Sequence, residues 1–472
     1  MRSAIMDIGY NAIRAVVYEN DSIGAPEIFN SKFKNDILSL LTSESIDIKH
    51  QTYLSIQYLL HIFEKLEVNN IKCVATAVLR NHPRADDFIN YIKNKYNFDI
   101  DIISGEEEAR LSALGLISSI KDSHGIAVDL GGGSLEVIKI EHGAITQLKS
   151  FELGTKVISS QNITNEKEII DIIQESYNAK TYDNLYLMGG ALRFMGRLYI
   201  DFMGYPLKNL HNLEIPTKDF ATYLDKLQSS TQDTKNKLWR RRINQNAIIV
   251  VKALINVFQS KNIIISTYGL KEGVRISDMS EEEKQKDIVF EKVQYTCNFN
   301  TQNLNWESYF DIIIPLLSKK ANYQNIIKLA IMLLSLQHKF DSTLHSSAIS
   351  EFVLSSEIPF THKTRIMLAL ILSYSTNYKP HNELIRIAKR IIDKNDQNNC
   401  QIIGHYLWIT EAIDGPIFTT PSFSINMQNH YLEINSKEIL PRPIFDKICT
   451  RLKSIAFARK MNFNILKDSI VA

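Results

Sequence analysis

The sequence predicts an α/β protein built on an internal duplication and followed by a separate, mainly helical domain. Three observations carry that expectation. A strand ending in aspartate, a glycine turn and a returning strand occur together twice, around Asp7-Ile8-Gly9 and around Asp129-Leu130-Gly131. Strands and helices then alternate as far as about residue 277, the pattern of a sheet with crossover helices. From about Met279 the period changes, and Trp306 to Cys400 carries apolar residues almost entirely at helical spacing.

Taken in order, Ala4 to Ile8 is a strand, Gly9-Tyr10-Asn11 a tight turn and Ile13 to Tyr18 the returning strand. A mobile-looking stretch follows. Gln51 to Leu66 has helical periodicity, Ile71 to Thr76 is a strand, Pro83 to Tyr96 a helix and Phe98 to Ile103 a strand. Ser104-Gly105-Glu106-Glu107-Glu108-Ala109-Arg110 opens a helix running to about Ser118, its three glutamates placed where the helix dipole favours them.

The second half starts with the strand Ile126 to Val128. It ends at Asp129, and Gly131-Gly132-Gly133 turn the chain into Leu135 to Ile140. Glycines here permit positive φ and let amides converge on an anion, while Asp129 beside them suits a divalent cation. An ordinary glycine-rich hairpin is the bland alternative, and the paired loop at Asp7 argues against it. Strands at Ile145 to Phe151, Asn184 to Met188 and Asn262 to Ser266 alternate with helices at Glu166 to Tyr177, after Gly189-Gly190, at Asn244 to Phe258 and after Gly269. Ser280 to Lys284 is a charged connector. Phe423 to Ile434 resembles a hairpin about Gln428-Asn429, and Arg442 to Lys460 a final helix. The expected domains are residues 1–120, 121–279 and 280–472.

Bulk properties narrow the function classes. With 472 residues and 44% apolar content, large cores are expected. A net charge of +2 excludes a polycation built for nucleic acid, so an anionic ligand must be met by local clusters. Four scattered cysteines without a Cys-x-x-Cys pair point to reduced thiols, and no stretch reaches the length of a membrane span. The expected location is cytoplasmic. Trp239-Arg240-Arg241-Arg242 is the densest basic run, read evenly as a solvated helix start or as a guide for an anionic chain.

Together these motifs resemble the exopolyphosphatase and guanosine pentaphosphate phosphohydrolase (Ppx/GppA) family of the actin-like, sugar-kinase-like ATPase superfamily. The resemblance covers roughly residues 3 to 277. It rests on Asp7-Ile8-Gly9-Tyr10-Asn11-Ala12-Ile13-Arg14, Ala75 to Arg80, Ile103 to Arg110, Asp129 to Glu136, Gly189 to Arg193 and Gly269 to Gly273. It implies a duplicated ribonuclease H-like core and a C-terminal domain that is HD-like by position. It further implies that Glu108 orients or deprotonates the attacking water, with Glu107 as fallback. Arg80 would neutralise phosphate oxygens, and Asp129, Glu136 and Asp7 would hold Mg²⁺ or another divalent cation. Gly9, Asn11, Arg14, Gly131, Gly132, Gly133, Ser134 and Arg193 would bind the phosphate. Such a set suits in-line attack on a phosphoanhydride.

Several positions depart from the family pattern. Tyr10 and Ala12 stand where serines are usual, Arg84 where a polar residue is, Ala191 where a hydroxyl is, and Lys271 where an arginine is. The C-terminal domain has no His-Asp dipeptide, so no metal chemistry is expected there. The implied substrates are inorganic polyphosphate or guanosine pentaphosphate, with a homodimer as the family's habit and no nucleic-acid or membrane partner. An actin-like kinase and a catalytically weak binding protein are the competing readings.

Overall fold

The computed structural model describes residues 1–34, 36–43, 50–178, 180–229, 244–299, 305–318, 323–336, 345–376, 379–415, 421–428, 431–436 and 440–463. The chain divides into two units, one of residues 1–205 and 210–288, the other of 206–209 and 289–472.

The first unit holds two sheets. In the first, β1 (Ser3–Ile8), β2 (Ala12–Tyr18), β3 (Glu27–Lys34), β4 (Asn70–Ala75) and β5 (Asp101–Ile102) lie in the order β3-β2-β1-β4-β5. In the second, β6 (Gly125–Leu130), β7 (Leu135–Glu141), β8 (Ala144–Phe151), β9 (Asn184–Met188), β10 (Leu213–Pro216) and β11 (Asn262–Ile265) lie in the order β10-β11-β9-β6-β7-β8. Aligning β6, β7, β8, β9 and β11 with β1 to β5 reproduces the topology, including two antiparallel hairpin steps and parallel neighbours on the other side. The duplication read from two short motifs is therefore a duplication of whole sheets.

Alternation along the strands divides each sheet into two faces. The outer face of the first packs Ala4, Met6, Ile8, Ile13, Ala15 and Val17 against the helices Gln51–Lys65 and Ala85–Tyr96. Its inner face packs Ile5, Val16 and Val74 against Leu111 and Val274. The second sheet repeats this, with Ile126, Val128 and Val137 in an outer core and Ala127, Ile138 and Ile140 meeting Ala109, Ala113 and Leu116 on the inner face. Two helices thus serve the inner faces: Gly105–Ser119, here the acidic helix, and Leu270–Ser277, here the lysine helix.

Those helices cross at glycines. A Cβ on Gly115 would lie 2.0 Å from the Gly269 carbonyl oxygen, and one on Gly273 would lie 1.7 Å from that of Leu111. Only glycine admits that approach. Leu111 faces the first sheet's core, whereas Ser112 faces the second sheet, so one helix is shared by both cores.

The stretch expected to be mobile contains β3, whose outer side sends Phe29 and Phe33 into the first sheet's core. The strand expected from Phe98 to Ile103 pairs only at Asp101 and Ile102. The connector at Ser280 is a helical turn, Glu281–Gln285, capped by Ser280 and tied back where Glu283 Oε1 accepts the Ile23 amide at 2.7 Å.

The second unit is mainly helical, with helices at Trp306–Ile313, Tyr323–Leu334, His345–Ser355, His362–Thr376, Asn382–Ile391, Lys394–Asp414 and Arg442–Arg459. A hairpin of β12 (Phe423–Gln428) and β13 (Tyr431–Ser436) is joined by β14 (Asn462–Phe463). Its largest buried cation, Arg365, is 1% exposed and donates to the carbonyls of Val353, Ser356 and Ile358, closing the end of the helix His345–Ser355.

Candidate active site

The two glycine turns close identically. The Gly9 amide donates to the Ala12 carbonyl at 3.0 Å, and the Gly131 amide to the Ser134 carbonyl at 3.0 Å. Each turn therefore presents a two-residue tip, Tyr10-Asn11 and Gly132-Gly133. The tips touch. A Cβ on Gly132 would lie 2.7 Å from Tyr10 Cβ and 3.0 Å from Asn11 Nδ2, and one on Gly133 would lie 2.7 Å from Ala77 Cβ.

Two sequence expectations change here. Gly131, Gly132 and Gly133 do not use positive φ; glycine is needed at the tip because another loop occupies the side-chain space. The amides of Gly9 and Gly131 are spent on turn closure, and the Ser134 hydroxyl is hydrogen-bonded to Glu136. The amides of Tyr10, Asn11, Gly132 and Gly133 form no hydrogen bond among the described residues.

Strand register then sets the charges. Asp7 pairs with Arg14 across β1 and β2, and Arg14 with Lys32 across β2 and β3. At the equivalent place in the second sheet, Asp129 pairs with Glu136 and Glu136 with Ser150. One inner face therefore carries an acidic residue followed by two cations; its counterpart carries two acidic residues followed by a hydroxyl.

The acidic helix completes the second row. Its start presses on β8, where a Cβ on Gly105 would lie 2.6 Å from Ser150 Cβ. Ser104 caps it, accepting the Glu107 amide at 3.1 Å. Glu108 and Ser112, one turn apart, face the sheet. Ser112 Oγ donates to Asp129 Oδ2 at 2.8 Å, and Ser150 Oγ donates to Glu136 Oε1 at 2.9 Å. Arg80, at the end of the short helix Ala77–Arg80, donates through Nη1 to the Ile103 carbonyl at 2.8 Å and to Glu108 Oε2 at 3.2 Å.

Packing acids this closely out of water raises their proton affinity. Burial, then the neighbouring Glu136, pushes Glu108 well above the usual carboxylate range, against the pull of Arg80. Glu136 is pushed up to about 7 by burial and by Asp129, and Asp7 to about 7 by burial and Asp129. Asp129 is raised by burial, with Arg193 and Ser112 opposing. The Oδ1 atom of Asp7 is buried without a hydrogen-bond partner. Orphaned oxygen and mutually repelling carboxylates fit a hard cation that keeps most of its waters, although no three His, Cys, Asp or Glu side chains stand in ligating geometry among the described residues.

Other expected residues separate from this group. Glu107 is held by Arg110, whose Nε and Nη2 donate to it at 2.7 and 2.6 Å, and that pairing holds its carboxyl low. Arg193 donates through Nε to the Ser266 carbonyl at 2.9 Å, with Asp129 and Gly269 beside it. Lys271 is claimed by Glu27 at 2.6 Å and Glu272 at 2.8 Å. Arg84 caps the helix Ile37–Thr42 through the Leu41 and Ser43 carbonyls. Tyr10 leans on the first core, and the run Trp239 to Arg242 lies outside the described residues.

Sequence reasoning missed Lys32, Ser112 and Ser150. Ser112 had a findable signal, being one helical turn after Glu108. Lys32 and Ser150 become visible only through strand register.

A family profile described as the Ppx/GppA phosphatase family matches residues 16–282, more than half the chain and beginning just after the first turn. A solved structure of the Aquifex aeolicus PPX-GPPA enzyme is 19% identical, covering 59% of this chain and 99% of its own with a TM-score of 0.50. That likeness shows the fold. The guanosine-5'-triphosphate,3'-diphosphate pyrophosphatase of Pseudoalteromonas translucida is 25% identical over 306 residues, 59% of this chain and 59% of its own length. Retrograde regulation protein 2 of Saccharomyces cerevisiae is 24% identical over 253 residues, 46% of this chain and 43% of its own length. The chain thus spans about half the length of these two relatives.

Proposed function

Because the chain belongs to the Ppx/GppA phosphatase family, we propose that it is a phosphoanhydride hydrolase releasing terminal phosphate from inorganic polyphosphate. The observation that carries this reading is the meeting of Glu108, Asp129 and Glu136 beside the paired tips Tyr10-Asn11 and Gly132-Gly133.

In this reading the terminal phosphate sits against the tip amides, which donate to its oxygens as negative charge gathers there. Glu108, held by Arg80, accepts a proton from water while the water oxygen bonds to phosphorus. The phosphoanhydride bond breaks on the opposite side, and its electron pair stays with the departing chain. Burial raises the base's proton affinity, which strengthens its pull on the water proton whenever the carboxyl is ionised. Asp129, steadied by Ser112, and Glu136, steadied by Ser150, would hold Mg²⁺ or another divalent cation, with Asp7 Oδ1 as a further oxygen. The chemistry a bound cation supplies there is screening of the anionic oxygens.

A second reading, removal of the 5′ γ-phosphate of guanosine pentaphosphate, draws on the name of the Pseudoalteromonas translucida relative. Phosphate release from long-chain polyphosphate and from guanosine pentaphosphate, each with Mg²⁺ or EDTA, tests both. Metal-dependent release from polyphosphate supports the first, release from the nucleotide alone the second, and release from neither refutes the hydrolase.

A further inference from the structure

The short helix Ala77–Arg80 carries the arginine that holds the proposed base, yet it is a single turn and cannot fix its own direction. Its anchors decide where Arg80 points. Val78 and Leu79 are buried in the first sheet's core, so that side of the turn belongs to the first half. The two ends meet the second half. At the start, Ala77 lies against the tip of the second glycine turn, where a Cβ on Gly133 would come within 2.7 Å of Ala77 Cβ. At the end, Asn81 Nδ2 donates to Glu152 Oε1 at 3.2 Å. Arg80 lies between these two attachments, next in sequence to the second.

Glu152 is itself fixed to the second turn. It follows β8 in a tight bend, in which the Leu153 amide donates to the Phe151 carbonyl at 2.8 Å. Gly154 then packs on the turn, and a Cβ there would lie 2.3 Å from the carbonyl carbon of Gly133. The Thr155 and Lys156 amides donate to the carbonyls of Gly131 and Gly132 at 3.1 and 2.8 Å. Asn246 secures the helix Thr155–Ser160, donating to the Thr155 carbonyl at 2.8 Å and to Ser159 Oγ at 2.7 Å. The bond from Asn81 to Glu152 thus ties the end of the Arg80 helix to the bracket behind the tip Gly132-Gly133.

We propose that Asn81 and Glu152 are positioning residues that hold Arg80, and through it Glu108, in register with the turn tip that receives the terminal phosphate. This rests on the hydrolase reading and adds to it two residues that act through Arg80. The arrangement is sensitive because Arg80 Nη1 reaches Glu108 Oε2 at 3.2 Å, the long end of the hydrogen-bond range. A shift of a few tenths of an ångström at the end of the helix loses that bond. Glu108 then keeps the repulsion of Glu136 and Asp129 without the cation that opposes it.

Steady-state phosphate release and amide hydrogen exchange, both on the full chain, test this. Asn81→Ala and Glu152→Ala are each expected to lower kcat about fivefold while KM stays within about twofold, since neither removes a group that grips phosphate. Glu152→Gln keeps an acceptor oxygen without the charge and should retain about half or more of the wild-type kcat. The double alanine variant should lose no more than either single one, and Glu152→Ala should cost nothing further in an Arg80→Ala protein. Unchanged kcat in both alanine variants, a loss seen in KM instead, effects that multiply, or equal loss in Glu152→Gln overturns the proposal. The amides of Arg80, Asn81 and His82, which donate to the carbonyls of Thr76, Ala77 and Leu79, should exchange faster in both alanine variants. Unchanged exchange also overturns it. Unaltered melting temperatures, expected because both positions are exposed, confirm that the variants are folded. Faster exchange in a protein that releases no phosphate would retain the brace on Arg80 and remove only the hydrolase.

Discussion

Gly132 has the tightest surroundings of the residues at the turn tips. With its Cβ position already 2.7 Å from Tyr10 Cβ, Gly132→Ala must push the two loops apart, because that carbon is fixed to the Tyr10 backbone and is not the free end of a flexible side chain. Phosphate release should fall at least tenfold while the circular dichroism spectrum is kept. Gly131→Ala is the matched control, since its nearest neighbour would be the Ser134 oxygen at 3.5 Å, and it should remain within about threefold of wild type. Equal effects would mean that the tips do not meet as described. The glycine run was plain in the sequence; which glycine is irreplaceable was not, because that depends on Tyr10, some 120 residues away. The same limit applied to Glu107 and Glu108. Adjacent on one helix, they were told apart in space by Arg110 and Arg80.

Among the elements, the crossing of the acidic and lysine helices holds Glu108 in place. Gly273→Ala would set a methyl group 1.7 Å from the Leu111 carbonyl oxygen, and backbone cannot yield cheaply. A loss of about 3 kcal/mol or more in chemical denaturation is expected, and a change under about 1 kcal/mol would show that the two helices do not cross in close contact. The helices and most strands were legible because their apolar periods are long. β3 was not: Glu27 to Lys34 has one face of Asn30, Lys32 and Lys34 and another of Phe29, Ser31 and Phe33, with no residue of the strand fully buried. It is an edge strand with little hydrophobic contrast, and the first sheet's cationic row disappeared with it. Lys271, which stands where the family pattern has an arginine, ties the lysine helix to β3 through Glu27.

The whole molecule tolerates a concentration of buried acid that should appear in its stability. Folding raises Asp7 from 3.8 to about 7, so between about pH 4 and pH 7 the folded protein binds protons the unfolded chain has released. Stability contributed by this group therefore falls as pH rises through that window and is lowest above it. In EDTA, Asp7→Asn should be more stable than wild type at pH 8, by about 2 kcal/mol, and the two should converge near pH 4. A variant less stable than wild type at pH 8 would reverse the sign and show that Arg14 and Lys32 outweigh burial.

In the proposed mechanism Glu108 takes a proton from water as that water attacks a terminal phosphate. The most direct measurement is phosphate release from the preferred substrate in ¹⁸O-enriched water, with wild type beside Glu108→Gln. One ¹⁸O in each orthophosphate released by wild type, with a rate about 10²- to 10⁴-fold lower in the folded variant, is the predicted result. Labelled phosphate released equally fast by Glu108→Gln, or unlabelled phosphate from wild type, would contradict it.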